Sequence, residues 1–282
     1  MTDGGRQSEI FAPGLLEGRV ALVTGGGTGL GKATALEFVR CGASVTIAGR
    51  REDVLQEAAA ECAELAGPVD VVAGDIRDPS SARRMVSSVL ERHRRLDALV
   101  NNAGGQFFSP AELIATKGWD AVWGLNVEGM LNMCEAALEL AFKEGGGGTI
   151  VNTTLSPHHG MPGMAHSGAA RATVEALTRE LAERWGDAGV VVSAVAPGTF
   201  QTEVLAKYPE QVRAGMSRTV PLQRLGTPAE HAWLVTLLAS PLGRAFSGAT
   251  ITLDGARDNW WGPWPPPGLV DESGEVPVEE RR

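Results

Sequence analysis

Short, almost unbroken apolar runs alternate with stretches of helical periodicity along most of the chain. The first run, Arg19 to Thr24 (RVALVT), opens onto a glycine turn, after which Ala35, Leu36 and Val39 fall at helical spacing between Lys32 and Arg40. The unit recurs: SVTIA (44–48) precedes a helix from about Glu52, and PVDVVA (68–73) one from about Ser80. DALVNN (97–102) precedes a long helical stretch, and TIVNTT (149–154), VVVSAVAP (190–197) and ATITLD (249–254) add three strands. Strands apolar on both faces need cover on both faces, which predicts an α/β fold with a doubly wound, parallel, seven-stranded sheet. The 282 residues suit one domain, over 17–257, with a polar, Gly-rich lead at 1–16 and a tail at 258–282. Within the tail, NWWGPWPPPG (259–268) reads as an arm pinned to a neighbouring subunit or its own domain, or as a lid over the active site.

The turn after the first strand carries the first chemistry. Thr24, Gly25, Gly26, Gly27, Thr28, Gly29, Leu30 and Gly31 join strand to helix, the Rossmann context in which backbone approaches a pyrophosphate at a helix N-terminus. Gly25 and Gly29 allow the tight turn, and Gly31 lets helix pack on strand. The second strand closes on Ala48-Gly49-Arg50-Arg51, where a ribose-binding carboxylate would stand. Two guanidiniums suit a 2′-phosphate, so the expected cofactor is NADP(H) rather than NAD(H). Asp75, before Ile76, can accept from the adenine amino group. Asn102, Ala103 and Gly104 keep the next strand end small, and Pro197, Gly198 and Thr199 can turn the chain over the nicotinamide. All fall at strand carboxyl ends, where an open α/β sheet binds its ligand.

Composition narrows the partners. Thirty-four acidic against 25 basic residues give a net charge of -9, without the basic stripe that a nucleic acid requires. Three scattered cysteines form neither a disulfide framework nor a metal-ligand pair, which predicts a reducing cytoplasm and no metal. No stretch has the apolar length of a membrane span, and neither a secretory leader nor a peroxisomal address is expected.

As a set, TGGGTGLG, NNAG, the Asn126 segment and APGT resemble the short-chain dehydrogenase/reductase superfamily over about residues 17–256. FAPGLLEGRVALVTGG, NNAGGQFFSPAELIATKGW and HSGAARATVEALT are similar to the peroxisomal trans-2-enoyl-CoA reductases and their dienoyl-CoA reductase relatives. That resemblance implies NADPH-dependent reduction of a C=C bond conjugated to a CoA thioester. It also implies a homodimer or homotetramer packed through the helices around 110–142 and 165–187, and a substrate lid at about 200–226. The catalytic set it implies is Asn, Ser, Tyr and Lys. Asn126 matches the asparagine, Thr154 falls in the serine slot, Ser167 in the tyrosine slot and Arg171 in the lysine slot. A second tyrosine position, used by dienoyl-CoA reductases, is Ser156 here. The chain's one tyrosine, Tyr208, lies in the lid segment.

The missing phenol has a chemical consequence. Ketone reduction leaves an alkoxide that needs a proton, and a phenol of pKa about 10 can give one where a serine hydroxyl cannot. Hydride addition to an enoyl thioester makes an enolate, whose oxygen needs only donors. Thr154 and Ser167 are expected to donate, Arg171 to hold the nicotinamide ribose, and His166 to provide the proton, with His158 and His159 as weaker rivals. Lys207, Arg213, Arg218 and Arg224 could meet CoA phosphates. The alternatives are a carbonyl or alcohol oxidoreductase, 3-oxoacyl reductase-like, with an atypical Ser-Arg site, and a degenerate NADP-binding member.

Overall fold

The computed structural model describes residues 6–158, 160, 163–207 and 210–259, except for the side chains at 204, 207, 211, 212 and 214. Tyr208, His159, the Lys207 side chain and the Trp/Pro-rich segment from Trp260 onward lie outside the described residues.

Seven strands, β1 (Val20–Thr24), β2 (Ser44–Gly49), β3 (Asp70–Ala73), β4 (Ala98–Asn101), β5 (Gly148–Thr153), β6 (Val190–Pro197) and β7 (Thr250–Leu253), form one sheet. Every pairing is parallel, in the order β3-β2-β1-β4-β5-β6-β7, so the chain reverses direction across the sheet between β1 and β4. That reversal opens a crevice at the strand carboxyl ends. The register holds those ends level, with Thr24 beside Ala48 and Asn101 beside Asn152.

The helices are α1 (Gly29–Arg40), α2 (Glu52–Leu65), α3 (Pro79–His93), α4 (Thr116–Trp123), α5 (Gly129–Ala137), α6 (Lys143–Gly145), α7 (Ala165–Trp185), α8 (Glu210–Met216) and α9 (Pro228–Ala239). Two apolar cores, one per sheet face, explain why the strands are apolar throughout. One gathers Leu22, Leu99, Ile150 and Val192 with Met85, Met133 and Phe142. The other gathers Val23, Val100, Val151 and Val195 with Phe38, Leu55 and Val235. Local signals set the helix starts: Asp78 accepts from Ser80 N at 3.0 Å ahead of Pro79, and Thr227 with Glu230 forms a reciprocal capping box ahead of Pro228.

The long helical stretch after β4 is interrupted. Two π turns, Gly124–Glu128 and Leu138–Phe142, sit between α4, α5 and α6. Such turns insert one residue into the helical repeat, so apolar periodicity alone does not reveal them. The first carries Asn126.

Candidate functional site

A cleft of about 1100 Å³ opens over the β1/β4 crevice. One end is floored by Gly25, Gly27, Thr28, Gly29 and Leu30. Gly25 and Gly29 have φ of +65° and +54°, where a side chain is strained. Gly31 lies behind the cleft: a Cβ there would fall 2.3 Å from the Gly25 carbonyl oxygen and 2.4 Å from Asn102 Nδ2. Thr24 is also behind the cleft and 1% exposed. Its hydroxyl donates to Val100 O at 3.2 Å and accepts from Asn102 N and Ala103 N, both at 3.1 Å, tying the β1 end to the β4 turn.

No side chain of α1 caps its own N-terminus. A carboxylate from the 200–226 segment reaches it instead, with Gly29 N donating to Glu203 Oε2 at 3.1 Å. The helix dipole makes this an anion site.

Arg50 and Arg51 line the cleft and are exposed, and their guanidiniums make no hydrogen bond or ion pair among the described residues. Asp75 lines it too, but its carboxylate is gripped by Arg77, whose Nε donates to Oδ1 at 3.0 Å. That bond holds the Asp75 carboxyl below its ordinary pKa. Sequence reasoning missed Arg77, whose spacing of two residues was the available signal. Ile76, Asn102, Ala103, Gly104, Pro197, Gly198 and Thr199 complete this end.

The other end is lined by Gln106, Phe107, Phe108, Leu155, Met164 and Met216, mostly apolar walls. Between the two ends, Arg171 reaches in from α7. Its Nη1 donates to Thr153 O at 2.5 Å, while its Nε is buried and has no hydrogen-bond partner among the described residues. Loss of hydration pushes its pKa down to about 10, so the guanidinium remains a cation at neutral pH. A Cβ at Gly104 would lie 2.3 Å from Arg171 Nη2 and 2.8 Å from Asn126 Oδ1, so one of those side chains would have to shift.

Asn126 does not line the cleft. From its π turn it clamps the chain just behind, Nδ2 donating to Gly105 O at 2.8 Å and to Val122 O at 2.7 Å, and Oδ1 accepting from Gly105 N at 3.1 Å.

Thr154 lines the cleft, but its one hydroxyl hydrogen faces two protein acceptors, Arg171 O at 3.1 Å and Glu175 Oε1 at 3.0 Å. Glu175 also contacts His158 Nδ1 at 2.7 Å, and His158 Nε2 reaches Thr252 Oγ1 at 2.8 Å. Ser156, the second tyrosine position, lines the cleft and donates to Asp254.

Ser167 is 0% exposed and donates to Gln106 Oε1 at 2.7 Å. The expectation that Thr154 and Ser167 both donate into the cleft is therefore not met: each hydroxyl has a protein acceptor. Gln106, which the sequence did not single out, is the polar side chain that reaches the cleft in place of Ser167. The signal was present, because Gln106 follows NNAGG directly.

His166 is 1% exposed, packed edge-on against Phe107 at 4.3 Å and Trp119 at 6.0 Å. Burial lowers its pKa, with the Met164 backbone acting the other way, and the ring does not line the cleft. No cluster of three or more His, Cys, Asp or Glu among the described residues could hold a metal. Cys41, Cys62 and Cys134 are buried and free, and no described helix is long and apolar enough to cross a membrane.

A family model described as Enoyl-(Acyl carrier protein) reductase matches residues 25–256. A peroxisomal 2,4-dienoyl-CoA reductase of Arabidopsis thaliana is 35% identical over 256 residues, covering 87% of this chain and 86% of that protein. A probable 2,4-dienoyl-CoA reductase of Bacillus subtilis is 36% identical over 255 residues, covering 89% and 100%. A 3-oxoacyl-[acyl-carrier-protein] reductase of Thermotoga maritima is 32% identical over 240 residues, covering 85% and 98%. Among solved structures, a citronellol catabolism dehydrogenase of Pseudomonas aeruginosa superposes with a TM-score of 0.79 at 40% identity, covering 88% of this chain and 98% of that one.

Proposed function

Since this chain belongs to the short-chain dehydrogenase/reductase family, we propose that it uses NADPH to reduce the C=C bond conjugated to the carbonyl of an enoyl-CoA-type thioester. As a member of that family it is an oxidoreductase with a nicotinamide cofactor. One observation carries the finer reading. The side chain in the tyrosine slot, Ser167, is a buried hydroxyl bonded to Gln106, so this position has no acid able to quench an alkoxide.

The residues present fit the cofactor. The strained glycines and the helix N-terminus suit a pyrophosphate, and Arg50 and Arg51, whose guanidiniums make no hydrogen bond or ion pair among the described residues, suit a 2′-phosphate. Arg171, with its orphaned Nε, suits the ribose hydroxyls, and Asp75 the adenine amino group. When bound, the reduced nicotinamide supplies a hydride. The protein's own part is then to hold the thioester carbonyl beside that end of the cleft and to stabilise charge on its oxygen. The apolar walls of Phe107, Phe108, Leu155 and Met216 favour an acyl chain and exclude water from it. With His166 sealed behind Phe107, the α-carbon takes its proton from water. Buried free cysteines support a cytoplasmic setting, and the resemblance to the superfamily supports a homodimer or homotetramer.

A second reading has its own support, the 32% identity to a 3-oxoacyl-[acyl-carrier-protein] reductase. Following NADPH absorbance with crotonyl-, decenoyl- and dienoyl-CoA beside 3-oxoacyl-CoA and simple ketones separates the two. Turnover of the unsaturated thioesters is expected, and turnover of the 3-oxo substrates alone would overturn the proposal.

A further inference from the structure

We infer that Arg77 is a positioning residue for cofactor choice: by holding the Asp75 carboxylate, it keeps the Arg50 guanidinium free to meet the 2′-phosphate of NADPH. The inference rests on the NADPH reading above and names what keeps that phosphate site open. β2 and β3 are paired with Gly49 beside Ala73, and Gly74 N donates to Gly49 O at 2.8 Å. The two chains therefore leave the sheet together, and Arg50 and Asp75 both line the cleft at this end. An arginine and an aspartate on one rim attract each other. The Asp75 carboxyl is held below its ordinary pKa first by its Arg77 hydrogen bonds, and the Arg50 charge acts in the same direction through space. Yet Arg50 forms no ion pair among the described residues, because Asp75 is already engaged.

The engagement is close. The Arg77 backbone N–H and Nε each donate to Oδ1 at 3.0 Å, and Nε at 3.1 Å and Nη2 donate to Oδ2. Asp75 N is fixed in turn, donating to Ser81 Oγ at 3.1 Å. Arg77 is not among the described residues that line the cleft, so its effect passes through Asp75. A bare carboxylate at this rim would draw Arg50 into an ion pair and repel a phosphate dianion. Paired, it carries no net charge, and Arg50 and Arg51 line the cleft without a protein counter-charge among the described residues. A carboxylate has about four lone-pair sites, so Asp75 keeps room to accept the adenine amino group.

The test measures NADPH and NADH dissociation constants by calorimetric titration at low ionic strength in the full chain. The variants are Arg77→Leu, Arg77→Lys, Arg50→Ala, Asp75→Asn, and Arg77→Leu combined with each of the last two. Arg77→Leu should weaken NADPH about three- to fivefold and leave NADH unchanged, the scale of one exposed ion pair gained by Arg50. Arg77→Lys, which still offers Asp75 a cation, should recover part of that loss. With Asp75 neutral as asparagine, Arg77→Leu should no longer change the NADPH-to-NADH ratio, and with Arg50 absent its effect should shrink. An unchanged ratio in Arg77→Leu would overturn the inference. So would an equal loss for both cofactors, which makes Arg77 a prop for the adenine turn alone. An undiminished Arg77→Leu effect in either double variant also overturns it, since Arg77 then acts without Asp75 or Arg50. A wild type that binds NADH as tightly as NADPH overturns the NADPH reading and this inference with it. Wild-type preference for NADPH beside an indifferent Arg77→Leu overturns this inference alone.

Discussion

Asn126 grips the backbone of Gly105 at two points, its Nδ2 donating to the carbonyl at 2.8 Å and its Oδ1 accepting the N–H at 3.1 Å. The residue is 2% exposed, and Nδ2 also donates to Val122 O. Asn126→Asp keeps the shape but turns an acceptor toward two carbonyls. The expected cost is about 2 kcal/mol, or roughly 5 °C in Tm, with kcat lowered as the Gly105–Gln106 segment shifts. Thermal denaturation and steady-state kinetics on the same preparation check both.

Gly31 is held by packing, not by its backbone angle. A Cβ would strike the Gly25 carbonyl oxygen, in the turn that floors the cleft, and Asn102 Nδ2, in the segment after β4. Gly31→Ala should destabilise the fold by about 1–3 kcal/mol and weaken NADPH binding. Gly186→Ala, with open space around the Cβ and φ of -58°, should leave both unchanged. Urea titration beside cofactor binding distinguishes the pair, and equal behaviour would contradict the packing account.

The Arg50 and Arg51 guanidiniums are exposed at the cleft rim. Charge-assisted bonds to a phosphate are worth about 1.5–3 kcal/mol, so replacing both by Ala should weaken NADPH about 10- to 100-fold and leave NADH nearly unaffected. A calorimetric titration of each cofactor reads the ratio. An equal loss for both would assign the arginines to some other task.

His231 is 0% exposed, lies 5.9 Å from the Phe200 ring edge-on, and has no hydrogen-bond partner at either ring nitrogen among the described residues. Burial lowers its pKa to about 4. Between about pH 4 and 6.5 the unfolded chain therefore binds more protons than the native one, and stability rises with pH through that window and levels above it. The contribution is on the order of 3 kcal/mol. His231→Leu should flatten this part of the pH–stability curve, as measured by denaturant midpoints at pH 5 and 7.

Local information was enough for the fold. VALVT, SVTIAG and VVVSAVAP are apolar on both faces, which admits only a strand covered on both sides. The helical spacing between them forces parallel crossovers. The sheet order was not written there: right-handed crossovers are compatible with several orders, and the structure decides among them. The π turn at Gly124–Glu128 was not legible, because one extra residue per turn leaves the composition of a helix unaltered. Tyr208 and the Trp/Pro-rich tail, both conspicuous as sequence, lie outside the described residues.

The sequence by itself determined the strand–turn–helix rhythm, the glycine turn, the arginine pair and the absence of a tyrosine from its usual slot. These are properties of neighbours, written within a few residues of one another. Which side chain faces the cleft was decided only by tertiary structure. Ser167 and Gln106 are 61 positions apart, and only the packing of α7 against the loop after β4 turns one hydroxyl inward and the other residue's amide toward the opening.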